Sequence, residues 1–136
     1  MIAFLDASAL IYLIEGQEPW SKAVKTQLLQ LEATSPSVTV AISRLSSLEC
    51  RVRPLREGDE CSLALFDAFF SRADLLWVDL SPTVVDVATD LRARFRLRTP
   101  DALQAACCLQ LGPQAVLITG DAAFARLPGL NVAVVA

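Results

Sequence analysis

The stretch "IAFLDASALIYLIEG", residues 2–16, is typical of a buried β-strand that leads through Asp6 into a helix. Its four consecutive apolar residues, Ile2–Leu5, suit a strand covered on both faces, because they do not alternate with polar ones. The helix predicted after Asp6 ends at Gly16, since glycine readily takes the left-handed conformation that follows many helix C-termini. This strand–acid–helix unit predicts the start of an α/β domain.

Apolar strands and helices continue to alternate along the rest of the chain. Further strands are predicted at 37–43, 75–78, 115–119 and 131–135. Helices are predicted from Trp20 to about Ala33, from Arg44 to about Arg53, from Gly58 to Arg72, from Ser81, from Thr99 and over 121–127. Ser81 and Thr99 each precede a proline and are expected to cap their helices, while Pro54 is expected to kink or end the third helix.

The order of these elements predicts the fold class. Strands that alternate with helices and are apolar throughout are typical of a parallel sheet with both faces covered. Neither a repeat nor a linker interrupts the chain, and 136 residues are enough for one domain with one core. We therefore expect an α/β fold: a single domain over residues 1–136, built as a three-layer α/β/α sandwich with a mainly parallel central sheet of about five strands.

The composition excludes several kinds of site. There is no histidine, so neither a Ser-His-Asp triad nor a Cys-His pair exists, and neither common phosphate-binding glycine loop occurs. The four cysteines form no C-x-x-C pair, which disfavours zinc and indicates reduced thiols in the cytoplasm. No apolar run approaches the roughly 20 residues that span a bilayer, and the chain starts without a basic leader, so we expect neither membrane association nor a signal peptide.

Four carboxylates are expected at one edge of the sheet. Asp6 and Asp121 follow the first and fourth strands, Asp101 begins the helix before the fourth, and Glu49 lies inside the helix after the second. Sites of open parallel sheets form at the carboxyl ends of strands, where the strand order reverses. Singly, each aspartate is more simply a cap or a first-turn acid; together, the acids repel unless a cation binds between them. Mg²⁺ or Mn²⁺ is the predicted ion because both prefer oxygen ligands.

Other polar residues have roles that are simpler or undecided. Asp90 precedes Arg94 by four residues, which is typical of an exposed helical ion pair. Asp79 also follows a strand, but that strand is expected near an edge of the sheet. Ser8 and Thr119 are candidates either for orienting a water or a carboxylate by hydrogen bonding or for simple capping.

The four acids lie in segments that resemble a PIN-domain ribonuclease, and more narrowly a VapC-type toxin. The matching segments, "FLDASALI", "ISRLSSLECRVRPL", "RTPDALQAACCL" and "LITGDAAF", follow the family's order and spacing over nearly the whole chain. The resemblance implies a metal-dependent endoribonuclease with an acidic pocket of Asp6, Glu49, Asp101 and Asp121, in which Asp6 and Asp101 are the most direct ligands of Mg²⁺ or Mn²⁺. Gly120 departs from the family, whose members often carry a polar or basic side chain there.

The resemblance also implies partners: an RNA substrate, a small cognate antitoxin protein and a second copy in a homodimer. A net charge of −3 argues against bulk attraction to nucleic acid, so local arginines are the expected RNA contacts. The candidates are Arg44, Arg51 and Arg98. Because 54% of the chain is hydrophobic, we expect "ALIYLI", "LALFDAFF" and Trp20 to supply apolar surface for the dimer and for an antitoxin helix.

Two other classes of protein fit part of the pattern. A PIN-like module that only binds would usually lack one of the four acids, and all are present. A receiver-type phospho-acceptor domain would need an acidic pair at the first strand and a late lysine, whereas the only lysines are Lys22 and Lys25. Under the nuclease hypothesis, Asp101 is expected both to cap its helix and to bind the ion.

Overall fold

The computed structural model describes residues 1–135, and its elements follow the predicted order. The strands are β1 (Ile2–Leu5), β2 (Thr39–Ser43), β3 (Leu76–Val78), β4 (Ala115–Thr119) and β5 (Asn131–Val134). The α-helices are α1 (Ala7–Glu15), α2 (Trp20–Thr34), α3 (Arg44–Glu57), α4 (Glu60–Phe70), α5 (Pro82–Phe95) and α6 (Thr99–Gln110), and a short 3₁₀ helix covers Ala122–Arg126. In this part of the chain, no helix combines the length and the apolar character needed to cross a bilayer.

The five strands form one parallel sheet in the order β3-β2-β1-β4-β5. β1 is central: Phe4 pairs with Ala41 of β2 on one side and with Leu117 of β4 on the other. The chain builds outward from β1 to β3 and then returns to the other side of β1 for β4 and β5. The strand order therefore reverses between β1 and β4, and sheets of this kind place their sites at the carboxyl ends of such strands.

Helices cover both faces of the sheet, which explains why β1 is apolar throughout. Phe4 packs into a core cluster with residues of α5 and α6, whereas Leu5 packs into a second cluster with residues of α1 and α4. Both side chains are fully buried. Burying side chains of this size contributes about 1.5–3 kcal/mol each to stability. The predicted three-layer α/β/α sandwich is confirmed.

The helix starts agree with the sequence in one case and differ in another. Ser81 caps α5 as predicted, because its hydroxyl accepts a hydrogen bond from the Val84 amide at 3.2 Å. The predicted Thr99 cap is wrong: Arg98 is the N-cap of α6, and both Thr99 and Pro100 lie in the first turn. A proline fits the second helical position as well as the first, since neither amide has an intrahelical partner.

Of the two outcomes expected at Pro54, an end of α3 is wrong, since the helix continues to Glu57. A proline in the last turn removes one intrahelical hydrogen bond. Pro54 is fully buried, so its packing offsets that loss. The helix ends instead at Gly58, whose φ of 68° is the left-handed conformation expected after a helix.

The cysteines provide a test of this packing. All four are free thiols; Cys61 is exposed, and Cys50, Cys107 and Cys108 are buried. Burial raises the pKa of Cys50 and Cys108 to about 12 and also raises that of Cys107. We therefore expect only Cys61 to react rapidly with Ellman's reagent in the native protein, and all four thiols to react after unfolding in guanidinium. Rapid native reaction of a second thiol would contradict the packing of α3 and α6.

Candidate active site

The carboxyl ends of β1 and β4 bring predicted site residues to one edge of the sheet. Asp6 follows β1 directly, Thr119 ends β4, and Asp121 follows two residues later. Because Leu5 pairs with Ile118 in parallel register, the chain leaves both strands at the same level. Asp6 and Thr119 therefore meet at the point where the strand order reverses.

Asp6 is the buried centre of this edge, with 5% of its surface exposed. One carboxylate oxygen accepts hydrogen bonds from the Ser8 hydroxyl at 2.6 Å and from the Ala9 amide at 3.0 Å, so Asp6 caps α1. The other oxygen accepts from the Thr119 hydroxyl at 2.5 Å. Burial raises the pKa of Asp6; the three hydrogen bonds oppose this rise, and the charge of Asp101 adds to it.

The hydroxyls of Ser8 and Thr119 tie β1 to the backbone beyond β4. Ser8 donates to Asp6 and accepts from the Gly120 amide at 3.0 Å. Thr119 also donates to Asp6 and accepts from the Asp121 amide at 3.1 Å. Two side-chain hydroxyls thus fix the Asp6 carboxylate relative to the segment that carries Asp121.

Glu49 is half-buried in α3 and bonds across to α6. Its Oε1 accepts a hydrogen bond from Gln104 Nε2 at 3.0 Å. Burial raises the pKa of Glu49 and the Gln104 bond opposes the rise; the charges of Asp101 and Asp6 raise it further, while Arg98 lowers it. Asp6, Glu49 and Asp101 therefore share one electrostatic environment, although they come from three distant parts of the chain.

Asp101 lies at the third position of α6, with 22% of its side chain exposed. Its carboxylate accepts a hydrogen bond from Arg98 Nε at 3.1 Å. The expectation that Asp101 caps the helix is wrong, because α6 begins two residues earlier and its N-cap is Arg98. Asp101 is instead a first-turn acid near the positive end of the helix dipole.

Asp121 is tied to the site through Thr119 rather than through another acid. Its carboxylate caps the 3₁₀ helix by accepting from the Ala123 amide at 2.9 Å, so the capping alternative holds for this residue. Within residues 1–135, no three His, Cys, Asp or Glu side chains are gathered closely enough to hold one metal ion. Coordination of one ion therefore requires the acidic side chains to move toward a common point.

The chemistry of the donor set nevertheless fits a hard divalent ion. Each of the four candidate ligands offers carboxylate oxygens, which Mg²⁺ and Mn²⁺ prefer. The pKa of Asp6 and that of Glu49 are raised by burial and by neighbouring negative charge. A cation bound among these acids would remove both effects, because it stabilises the ionised carboxylates.

The three candidate RNA-binding arginines lie in different surroundings. Arg98 pairs with Asp101 of the acidic pocket and has 81% of its side chain exposed. Arg44 pairs with Asp79 at 2.9 Å and lies over the Trp77 ring, beside the edge strand β3. Arg51 lies in α3 and pairs with Asp67 of α4 at 3.4 Å. Only Arg98, among these three, contacts one of the four acids.

Asp79 and Asp90, which were expected to lie outside the site, are placed as predicted. β3 is an edge strand, and Asp79 after it is exposed and paired with Arg44. Asp90 pairs with Arg94 at 2.7 Å across one turn of α5. Neither acid takes part in the electrostatic environment around Asp6 and Glu49.

Two features of the site were missed in the sequence. Gln104 is buried and bonds to Glu49; the feature of the sequence that could have indicated this contact was an amide within the apolar stretch of α6.

The glycine at position 120 is explained by Tyr12 of α1, because a Cβ at Gly120 would lie 2.7 Å from the Tyr12 ring and 2.8 Å from its hydroxyl oxygen. The ring of Tyr12 occupies the space into which a Cβ at Gly120 would project.

The Tyr12 contact leads to a prediction for Gly120→Ala. The Tyr12 ring is stacked on Trp20 at a centroid distance of 5.5 Å, so it cannot withdraw without losing that contact. We expect the substitution to lower the free energy of unfolding by about 1–3 kcal/mol, as overpacking usually does. Denaturant unfolding of Gly120→Ala, Tyr12→Leu and the double variant measures this. The double variant should lose less than the sum of the two single losses, and full additivity would contradict the clash.

The burial of Asp6 leads to a prediction for Asp6→Asn in metal-free buffer. A raised pKa means that the folded protein binds the proton more tightly than the unfolded chain does, so stability falls as the pH rises through the folded-state pKa. An asparagine still accepts from Ser8 and Ala9 and can donate to Thr119 without a buried charge. With EDTA at neutral pH, we expect the melting temperature to rise by about 2–5 °C, which corresponds to roughly 1 kcal/mol.

The pH dependence is the control for this substitution. The advantage of Asp6→Asn should shrink as the pH falls through the raised folded-state pKa toward the ordinary value of 3.8, because the folded wild-type carboxyl then takes up a proton. An Asp6→Asn protein that melts below wild type at neutral pH in EDTA would show that the hydrogen bonds outweigh the burial of charge.

Comparison with known proteins identifies the family. The sequence matches the PIN domain family over residues 3–130. No significant match was found among curated protein sequences. The family match confirms the prediction from the sequence and goes against the receiver-type phospho-acceptor alternative.

Solved structures share this fold over nearly their whole length. VapBC2 from Rickettsia felis bound to a DNA fragment from its promoter is 22% identical over 98% of each chain, with a TM-score of 0.75. DNA-bound VapBC from Salmonella typhimurium is 18% identical over 100% of this chain and 99% of that chain, with a TM-score of 0.72. VapBC-1 from nontypeable Haemophilus influenzae is 22% identical over 98% of each chain, with a TM-score of 0.70. With the sequence match over almost all residues, the parallel sheet and its acidic edge lead to one assignment: the chain belongs to the PIN domain family.

Proposed function

We propose that this PIN domain is a metal-dependent endoribonuclease that hydrolyses RNA phosphodiester bonds and acts as the toxin of a toxin–antitoxin pair. PIN-domain toxins of the VapC type are nucleases in general. The observation that supports the proposal most is the shared electrostatic environment of Asp6, Glu49 and Asp101 at the carboxyl edge of the sheet. A fold gains no stability from placing three carboxylates in one partly buried environment, so their presence points to a bound cation and to chemistry.

The proposed cofactor is Mg²⁺ or Mn²⁺, held by carboxylate oxygens of Asp6, Asp101, Glu49 and Asp121. Such an ion lowers the pKa of a bound water and polarises the phosphate. The chain itself holds the acids in place: Ser8 and Thr119 fix Asp6 by hydrogen bonds. Because there is no histidine, a proton released in the reaction passes to a carboxylate or to bulk water.

The RNA is proposed to approach along Arg98. Its guanidinium is largely exposed and pairs with an acid of the pocket. A guanidinium binds phosphate oxygens in the same forked geometry as carboxylate oxygens, so Arg98 can exchange Asp101 for a phosphate when the ion binds Asp101. Arg44 and Arg51 remain proposals for more distant phosphates of the same strand.

A cognate antitoxin is proposed to bind the exposed apolar surface of α3 and α4. Leu48, Val52 and Leu55 of α3 and Leu65 of α4 are exposed. The three residues of α3 line a cleft of about 420 Å³ together with Leu63 of α4. An amphipathic helix can bury its apolar face in such a cleft. The related fold of a toxin–antitoxin complex from Klebsiella pneumoniae, 22% identical with a TM-score of 0.66, supports a partner of this class.

The apolar segments selected in the sequence lie only partly in the core. Leu10 of "ALIYLI" and Phe66 of "LALFDAFF" are fully buried, whereas Leu65 is 54% exposed, so these segments also leave apolar surface. Trp20 keeps part of its surface exposed and remains a candidate for a homodimer contact.

All four cysteines are free thiols, which supports a cytoplasmic location, where thiols stay reduced.

Substitution of Asp101 by asparagine tests the proposed activity. The change removes a carboxylate ligand but keeps the size of the side chain, and we expect RNA cleavage in Mg²⁺ or Mn²⁺ to fall by about 100-fold or more. Gel analysis of structured RNA incubated with the protein and each ion, or with the protein and EDTA, measures the cleavage. Asp86→Asn is the matched control, since it removes an exposed helical carboxylate from α5 and should leave cleavage unchanged.

The same assay separates the nuclease from an inert binding module. A nuclease gives cleavage with wild type and Asp86→Asn that stops in EDTA. If wild-type protein binds RNA or an antitoxin but cleaves no RNA with either ion, the inert module is correct. If Asp101→Asn cleaves at the wild-type rate, Asp101 is not part of the catalytic site.

A further inference from the structure

Gln104 joins two elements of the acidic pocket from within the core. It lies in α6, with 2% of its surface exposed. Its Nε2 donates two hydrogen bonds to residues of α3, one to Glu49 Oε1 at 3.0 Å and one to Ser46 Oγ at 2.9 Å. A buried side chain of α6 therefore holds a candidate metal ligand of α3.

The orientation of the Gln104 amide gives Glu49 a hydrogen-bond donor but leaves the amide oxygen of Gln104 without a donor among residues 1–135. In the described residues, Gln104 Oε1 is buried and has no hydrogen-bond partner. An unpaired buried carbonyl is destabilising, because it has lost its hydrogen bonds to water without replacing them. Reversing the amide would let the Ser46 hydroxyl donate to Oε1, but it would place that oxygen against an ionised carboxylate, which can only accept. The observed orientation is therefore the one that serves an ionised Glu49.

The location of Gln104 along α6 links this contact to a second ligand. Asp101 lies three residues earlier, on the adjacent turn of the same helix face. Ala105 and Ala106, which follow Gln104 in the helix, are fully buried and apolar. An apolar residue at 104 would suit this core position without an unpaired oxygen, so packing alone does not account for the amide.

We propose that Gln104 is a positioning residue of the metal centre. Its amide fixes the Glu49 carboxylate relative to Asp101, so that one helix sets the separation of two ligands of the same divalent ion. This inference rests on the proposed function. Side chains that orient metal ligands by hydrogen bonding typically change metal affinity or activity by about 10–100-fold when they are removed.

The test uses Gln104→Met, which nearly conserves volume, removes the donor and also removes the unpaired oxygen. We expect Mn²⁺ to bind about 10–100-fold more weakly, measured by isothermal titration calorimetry on the full chain without RNA. The melting temperature in EDTA should stay within about 4 °C of wild type, because the loss of the unpaired Oε1 offsets the loss of the donor to the buried Ser46 Oγ. Saturating Mn²⁺ should restore kcat for RNA cleavage, because the defect lies in ion binding. Gln104→Asn withdraws the amide by one methylene and should weaken Mn²⁺ binding as well.

Ser46→Ala is the matched control, since it removes the other acceptor of the same amide at the same buried interface. It should bind Mn²⁺ within about threefold of wild type, because the bond to Glu49 remains. Wild-type affinity in both Gln104 variants would overturn the positioning role and leave the nuclease proposal intact. A loss that saturating Mn²⁺ does not restore, with a lowered melting temperature, would show a merely structural role. A wild-type protein that neither binds Mn²⁺ nor cleaves RNA would overturn both proposals.

Discussion

The hydrogen bond between the Thr119 hydroxyl and the buried Asp6 carboxylate is the contact on which the site depends. It joins the carboxyl ends of β1 and β4, where the strand order reverses, and so places the first and fourth acids on one continuous network. The parallel pairing of Leu5 with Ile118 brings the two strand ends level, and the bond then fixes the carboxylate between them. Without it, one oxygen of the buried Asp6 carboxylate would lose its hydrogen bond, and only the other would be held, by the Ser8 hydroxyl and the Ala9 amide.

Each acid of the pocket is restrained by the element that carries it or by a neighbour. Asp6 is held by hydroxyls and an amide, Glu49 by the Gln104 amide, and Asp101 by Arg98 and the start of α6. These contacts counter only part of the effect of burial, since the pKa of Asp6 and that of Glu49 are still raised. The fold thus tolerates an electrostatic conflict that a divalent ion would resolve, which is the physical basis of the proposed nuclease.

The sequence predicted what depends on local pattern and failed where tertiary contacts decide. Unbroken apolar strands between helices were enough for the parallel three-layer sandwich, and acids placed just after strands were enough to find Asp6 and Asp121. The predicted helix cap at Thr99 and helix end at Pro54 were wrong because a proline is tolerated at more than one helical position. Gln104 and the Tyr12–Gly120 contact were missed because each depends on a partner distant in the chain, which local pattern cannot identify. The exposed apolar residues of α3, Leu48, Val52 and Leu55, were also not predicted, because spacing alone did not separate core from solvent.

The most direct measurement is the thermal unfolding of the full chain in increasing concentrations of Mn²⁺. An ion that binds only the folded state stabilises it by RT ln(1 + [L]/Kd), about 2.7 kcal/mol at 100 times Kd. We predict a melting temperature that rises steadily with the logarithm of the Mn²⁺ concentration, and no such rise in a variant that combines Asp6→Asn, Glu49→Gln and Asp101→Asn. A wild-type melting temperature that millimolar Mn²⁺ leaves unchanged, or an equal rise in the triple variant, would contradict the claim that these acids share one ion.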